Sequence, residues 1–173
     1  MSTVHVITGA TSGLGLDVAR RLAKITDDRI IAGARNPATA RALRDAVPAG
    51  RLDVLDLDTA SPKRVSAFAT AVKERLGGRG ISSLCCIAGL QILGTQRHTA
   101  DGIDETFATN VMGHLQLVDA LSDSLARNAV VVTTGSGTHD PDNRLASRAG
   151  FAGADYASAS AAASGENTRP DRD

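Results

Sequence analysis

Short runs of consecutive apolar residues alternate along this chain with longer stretches in which apolar residues recur every three or four positions. Residues 3–8, TVHVIT, are a β-branched run that ends at a glycine-rich turn, residues 9–15. Behind the turn, Leu14, Val18, Leu22 and Ile25 stand at helical spacing. Residues 29–34 predict a second strand, and Asn36-Pro37 a helix start with proline in its first turn. That helix covers 38–47, and Pro48 and Gly50 end it. A third strand is expected over 51–57, then a helix from Ser61-Pro62 to about Leu76, broken by Gly77, Gly78 and Gly80. Residues 81–89 read as a fourth strand. A long helix follows over about 102–126, with Phe107, Val111, Leu115, Val118, Leu121 and Leu125 as its apolar positions. Residues 129–134, AVVVTT, read as a fifth strand.

Strands separated by helices of this length imply parallel pairing through right-handed crossovers. The strands are near-continuous apolar runs, as expected where helices cover both faces of a sheet. The fold class predicted is therefore α/β, a Rossmann-type doubly wound parallel sheet with five recognisable strands. Residues 1–140 form that domain. Beyond it the character changes: from Gly135 onward Val, Ile and Met are absent, Leu145 is the sole leucine and Phe151 the sole phenylalanine. Such a segment buries little apolar surface against its ordering entropy. Residues 141–173 are expected to be a mobile Gly/Ala/Ser-rich tail, in which 152–164 could form an alanine-driven helix.

Composition narrows the function classes. With 42% hydrophobic and 22% charged residues, the 173-residue chain fits one globular domain rather than a disordered one. Nineteen Lys and Arg balance nineteen Asp and Glu, so no broad basic footprint favours nucleic acid or anionic lipid. No run of 18 apolar residues predicts a membrane span, and the N-terminal residues do not read as a signal peptide. Cys85 and Cys86 are adjacent, which suits neither a disulfide nor a metal site, and the expected compartment is the reducing cytoplasm. His5, His98, His114 and His139 are too dispersed to read as metal ligands. Aromatics are only 2%, so Ala, Val, Leu and Ile must build the core.

The candidate chemistry starts at the first turn, Thr8-Gly9-Ala10-Thr11-Ser12-Gly13-Leu14-Gly15. Gly9 permits a tight exit from the strand, Gly13 close approach of a pyrophosphate, and Gly15 close packing of helix on sheet. The helix N-terminus offers free N–H groups and a positive dipole end, and Thr11 and Ser12 add hydroxyl donors. A glycine cluster alone is also an ordinary turn; the strand–turn–helix context favours a nucleotide.

This T-G-x-x-x-G-x-G pattern resembles the cofactor fingerprint of the short-chain dehydrogenase/reductase family, and further matches fall in family order. Asp56-Leu57 matches the Asp-Leu that meets the adenine. Ala88-Gly89 keeps the end of the family's N-N-A-G. Asn110 matches the asparagine of N-x-x-G on the central helix, and Ser136 the active serine after the fifth strand. The resemblance covers roughly residues 3–139, and 135–141 lean toward the retinol-dehydrogenase-like and protochlorophyllide-reductase-like branch. It implies hydride transfer between a nicotinamide and a small-molecule carbonyl or alcohol. Ser136 would polarise the substrate oxygen, and Asn110 would help organise a water chain. A tyrosine would exchange the proton, with a lysine four residues on to lower its pKa. Oligomerisation is possible but not inferable.

Two readings of several residues stand side by side. NAD-binding sheets usually place an acid after the second strand, where this chain has Ala34, Arg35 and Asn36. A guanidinium pairs with a 2′-phosphate that a carboxylate would repel, so the cofactor expected is NADP; Arg35 is otherwise a solvated loop residue. Asp56 is otherwise a turn cap, and Ser136 an ordinary serine of a glycine-rich turn. Tyr156, the sole tyrosine, is followed four residues on by Ser160, and no lysine occurs after Lys73. No sixth or seventh strand is recognisable, so the chain reads as C-terminally truncated. The alternative function is a catalytically inactive NADP-binding fragment.

Overall fold

The computed structural model describes residues 3–92, 95–149, 153–154 and 156–166. Five parallel strands form one sheet in the order β3-β2-β1-β4-β5: β1 Val4–Thr8, β2 Arg29–Ala34, β3 Leu52–Asp56, β4 Ile81–Cys86 and β5 Leu125–Thr133. Helices α1 (Gly13–Ile25), α2 (Arg41–Ala46) and α3 (Pro62–Leu76) connect the first four strands. After β4, α4 (Glu105–Phe107) runs through a π-helical turn (Ala108–Met112) into α5 (Gly113–Leu121). Strand alternation divides the core in two. Val4, Val6, Ile31, Leu84 and Cys86 face α3 and α5, where Phe68, Val72, Leu117 and Leu121 are buried. Ile7, Ile30, Ala32 and Cys85 face α1 and α2, against Leu16, Ala19 and Leu43. Strand order reverses between β1 and β4, and the crevice beyond the carboxyl ends of those strands is where such sheets bind ligands.

The helix starts expected at Asn36-Pro37 and Ser61-Pro62 are built as capped turns. Asn36 Oδ1 accepts from Ala38 N at 3.1 Å, and Ser61 Oγ accepts from Arg64 N at 3.4 Å. Gly77, with φ +56°, ends α3 in the left-handed region.

Several boundaries differ from expectation, each for a physical reason. The helix expected over 38–47 splits into a 3-10 turn, Pro37–Thr39, and the short α2. β4 stops at Cys86 rather than at 89, because the next two amides bond a side chain instead of a neighbouring strand: Ile87 N and Ala88 N both donate to Thr8 Oγ1 at 2.9 Å. Leu57 lies just past β3, where its N–H still donates to Ala34 O at 2.9 Å and its side chain fills the space over Gly33. The long helix starts later than 102, at an Asp104 cap whose Oδ1 accepts from Phe107 N at 2.8 Å. It also ends earlier: Leu125 pairs with Ile81 as the start of β5. Leu121 and Leu125 are four apart, so their spacing suits a helix although a 3-10 turn, Ser122–Ser124, separates them. Val111 and Leu115, counted with the apolar stripe, point outward and are exposed.

In the tail, α6 (Arg144–Arg148) is capped by Asn143, and α7 (Ala159–Ser164) lies against the segment before α4. Asp104 N donates to Ala163 O at 2.7 Å, and Gln96 Nε2 donates to Ser164 O at 3.0 Å. Phe151 lies outside the described residues. β5 is the sheet edge, and Val130, Val131 and Val132 are 56%, 39% and 44% exposed, unlike the fully covered β1. An exposed β-branched edge strand is a template for association. Val130→Lys should therefore reduce self-association measured by light scattering, with the urea-unfolding free energy changed by no more than about 0.5 kcal/mol.

Candidate functional site

The turn between β1 and α1 is shaped by close backbone approach. A Cβ on Gly9 would lie 2.8 Å from Ala88 Cα and N, and one on Gly15 would lie 2.3 Å from Gly9 O. Neither position tolerates a side chain without moving the turn. Gly13 is different: with φ +52°, it would point a Cβ into open space, with nothing within 4 Å. Ser12 occupies the N-cap position of α1, yet its side chain makes no cap hydrogen bond, and the first turn holds no acid. Among the described residues no side chain caps the leading amides of α1, and the exposed Leu14 stands beside them. Uncapped amides, a positive dipole end and an open approach over Gly13 suit an anionic diphosphate.

A buried network sets this turn against the rest of the site. Thr8 Oγ1 accepts from the Ile87 and Ala88 amides and lies 3.0 Å from His114 Nε2 and 3.4 Å from Cys85 O. His114 Nδ1 lies 3.2 Å from Asn110 O, a carbonyl that can only accept, so Nδ1 carries the ring proton. Burial lowers the His114 pKa and keeps the ring neutral, which leaves Nε2 to accept the Thr8 hydroxyl proton. Asn110 in turn clamps Leu90: its Oδ1 accepts from Leu90 N at 2.9 Å and its Nδ2 donates to Leu90 O at 2.8 Å. Gly89 is next to this clamp, 3.3 Å from Asn110 Oδ1 when given a Cβ. Gly9, Ala88, Gly89 and Asn110 are therefore brought together. Thr8 and His114 were not singled out from sequence; the threonine opening the glycine pattern and the histidine four residues after Asn110 were the available signals.

At the ends of β2 and β3 a second cluster forms. Arg35 and Asn36 are exposed. Asn36 serves as a turn cap, whereas the Arg35 guanidinium has no hydrogen bond or ion pair among the described residues. Asp56 is held by Arg64 of α3, whose Nε donates to Asp56 Oδ2 at 3.1 Å and whose Nη2 reaches Asp56 Oδ1. Arg64 Nη1 donates to Asp58 Oδ2 at 3.1 Å, and Nη2 donates to Arg35 O at 2.9 Å. Asp58 and Ser61 line an open cleft of about 350 Å³ that continues to His98 and Glu105. Arg64 and Asp58 were missed in sequence because their partners lie on other elements.

The residues expected to do chemistry are not joined in this way. Ser136 caps a 3-10 turn, its Oγ accepting from Thr138 N at 3.2 Å. Tyr156 lies against Phe107, ring centroids 6.4 Å apart, and no hydrogen bond among the described residues links it to Ser136. Burial and the Asp104 carboxylate push the Tyr156 pKa upward, away from phenolate. Cys85 and Cys86 are buried free thiols whose pKa values burial raises, Cys86 to about 11, and they act as core residues. Among the described residues no His/Cys/Asp/Glu group could hold a metal.

The doubly wound parallel sheet, with its glycine turn and strand-end crevice, defines a Rossmann-type protein. The family model for short chain dehydrogenases matches residues 3–164, and the chain belongs to that short-chain dehydrogenase/reductase family of nicotinamide-dependent enzymes. It is 35% identical over 124 residues to the chloroplastic protochlorophyllide reductase of Chlamydomonas reinhardtii, across 69% of this chain and 31% of that protein. It is 31% identical over 146 residues to the polyprenol dehydrogenase of Homo sapiens, across 79% and 43%. The chain thus spans less than half the length of these curated relatives. The NADPH-bound carbonyl reductase from chicken fatty liver shares its fold with a TM-score of 0.69 and 25% identity, across 84% of this chain and 64% of that one.

The depressed His114 pKa has a defined consequence for stability. Above about 6.5 the histidine is neutral in both folded and unfolded chains. As pH falls through that value the unfolded chain takes up the proton first, so the stability this group contributes is lost on acidification. Urea unfolding at about pH 7.5 and about pH 5 should show wild type losing more stability than His114→Gln across that window. Equal losses would mean the ring does not titrate there.

Proposed function

We propose that this chain provides the NADP(H)-binding framework of an oxidoreductase that transfers hydride between the nicotinamide and a carbonyl or alcohol. The observation that carries the reading is the uncapped start of α1 with open space over Gly13. Residues 9–15 fit a pyrophosphate: Gly13, Leu14 and Gly15 would supply amides, and Thr11 and Ser12 hydroxyls. Arg35, with its unpaired guanidinium beside the end of β2, would take the 2′-phosphate, and Asn36 shapes the turn that presents it. Asp56 and Leu57 at the end of β3 would meet the adenine. Ala88 and Gly89, held by Thr8 and Asn110, would line the nicotinamide-ribose side.

The bound cofactor supplies the hydride or accepts it. The chain's own part is to hold the ring against the substrate and to move a proton at the substrate oxygen. Ser136, three residues past the end of β5, would polarise the substrate oxygen, and Tyr156, the sole tyrosine of the sequence, would serve as acid or base. A small-molecule substrate in a cytoplasmic setting fits the zero net charge and the two free buried cysteines; among the described residues no helix is long and apolar enough to cross a membrane.

A second reading, an NADP-binding module without turnover, is favoured by the upward-shifted Tyr156 and by Ser160 standing four residues on, where the resemblance would put a lysine. The two separate on one assay. The enzyme reading expects NADPH oxidation with some member of a carbonyl panel, lost in Ser136→Ala; the module reading expects binding with no turnover above buffer.

Cofactor preference is tested by calorimetric titration. Arg35→Ala should weaken NADPH binding at least about tenfold and leave NADH binding within about threefold. Equal weakening of both would remove Arg35 from the phosphate site.

A further inference from the structure

The cation that decides cofactor choice need not be the one that touches the phosphate. Asp56 ends β3, the strand next to β2, and its backbone pairs with Ala34, the residue before Arg35. Asp58 lies two residues on. Two carboxylates therefore stand one strand away from the exposed Arg35 guanidinium at the end of β2, where an unbalanced negative field would repel a phosphate. Arg64 spans both of them: Nε and Nη2 hold Asp56, and Nη1 reaches Asp58 Oδ2 at 3.1 Å. The same Nη2 donates to the Arg35 carbonyl at 2.9 Å, which ties the turn carrying Arg35 to this bonded group.

We propose that Arg64 is a specificity-determining residue: by bonding Asp56 and Asp58 and offsetting one of their two charges, and by anchoring the Arg35 turn, it makes the adenosine end tolerant of a 2′-phosphate and so selects NADP over NAD. The proposal rests on the NADP(H)-binding reading above. With Arg64 present, the charges of Arg35, Arg64, Asp56 and Asp58 sum to zero. Without it they sum to about −1, and that excess negative charge acts on a group carrying a charge of about −2. A 2′-hydroxyl carries no charge and is indifferent to that change. Arg64 thus acts through the field and through Arg35, as a positioning residue. Its side chain is 35% exposed, so the effect is partly screened and should shrink at high salt.

The test is titration of NADPH and NADH, followed by nucleotide fluorescence, into wild type, Arg64→Gln, Asp58→Asn and the double variant, with thermal melts of each. Arg64→Gln should raise the NADPH Kd on the order of tenfold and the NADH Kd by less than about threefold. Adding Asp58→Asn to it should recover most of the NADPH affinity, because the charge excess is removed from the other side. Asp58→Asn alone, which leaves Arg64 in place, should tighten NADPH about threefold without altering NADH; this arm carries the test if Arg64→Gln melts below wild type. Equal loss of both nucleotides in folded Arg64→Gln, no recovery in the double variant, or an Asp58→Asn chain with unchanged NADPH affinity would each overturn the role of Arg64. Failure of wild type to bind either nucleotide would instead overturn the NADP(H)-binding reading beneath it.

Discussion

One buried hydroxyl proton orders the functional end of this molecule. Thr8 is fully buried at the carboxyl end of β1, and four groups converge on its oxygen. Its two lone pairs satisfy the amides that would have continued β4. Its single proton goes to His114, whose other nitrogen is committed to the Asn110 carbonyl. The end of β1, the loop after β4 and the π-turn of the central helix are thereby held in one register. An orphaned donor in such a place costs roughly 1–3 kcal/mol, so each member constrains the others. The crevice between β1 and β4 owes its shape to this network, and the glycine turn can approach Ala88 because no side chain on Gly9 intervenes.

Much of the fold was legible because it rests on repeated local patterns. Each of the five strands was found from a short apolar run, and α1 and α3 from apolar spacing with glycine or proline punctuation. Parallel pairing follows from the helical crossovers between the strands. What failed was information held in tertiary partners. Nothing in CIAGL says that the sheet ends at Cys86, since a side chain from β1 takes the next amides. Leu125 carries helical spacing but a strand's hydrogen bonds, because Ile81 lies beside it. In the first turn, the close backbone approaches at Gly9 and Gly15 could be read from the glycine pattern alone, whereas Asn110 was singled out through the family resemblance. Thr8, His114 and Arg64 could be read from neither, for their meaning lies in atoms contributed by distant segments.

The two ends of the site are unequally built. At the ends of β1 and β4, polar groups are buried, bonded and mutually constrained, and at the end of β2 the Arg35 guanidinium is free among the described residues beside an acidic pair bonded by Arg64 of α3. On the chemical side, Ser136 is an exposed cap and Tyr156 rests on Phe107 under an unfavourable carboxylate. The curated relatives are more than twice as long as the portion this chain matches in them, and β5 leaves three valines exposed.

The most direct test of the account follows backbone amides by NMR during NADPH addition. If the opening of α1 receives the diphosphate, the amides of Gly13, Leu14 and Gly15 will show the largest saturable shifts, while the Thr8 hydroxyl network stays protected from exchange. Saturable binding that leaves those three amides unmoved and perturbs another surface would contradict it.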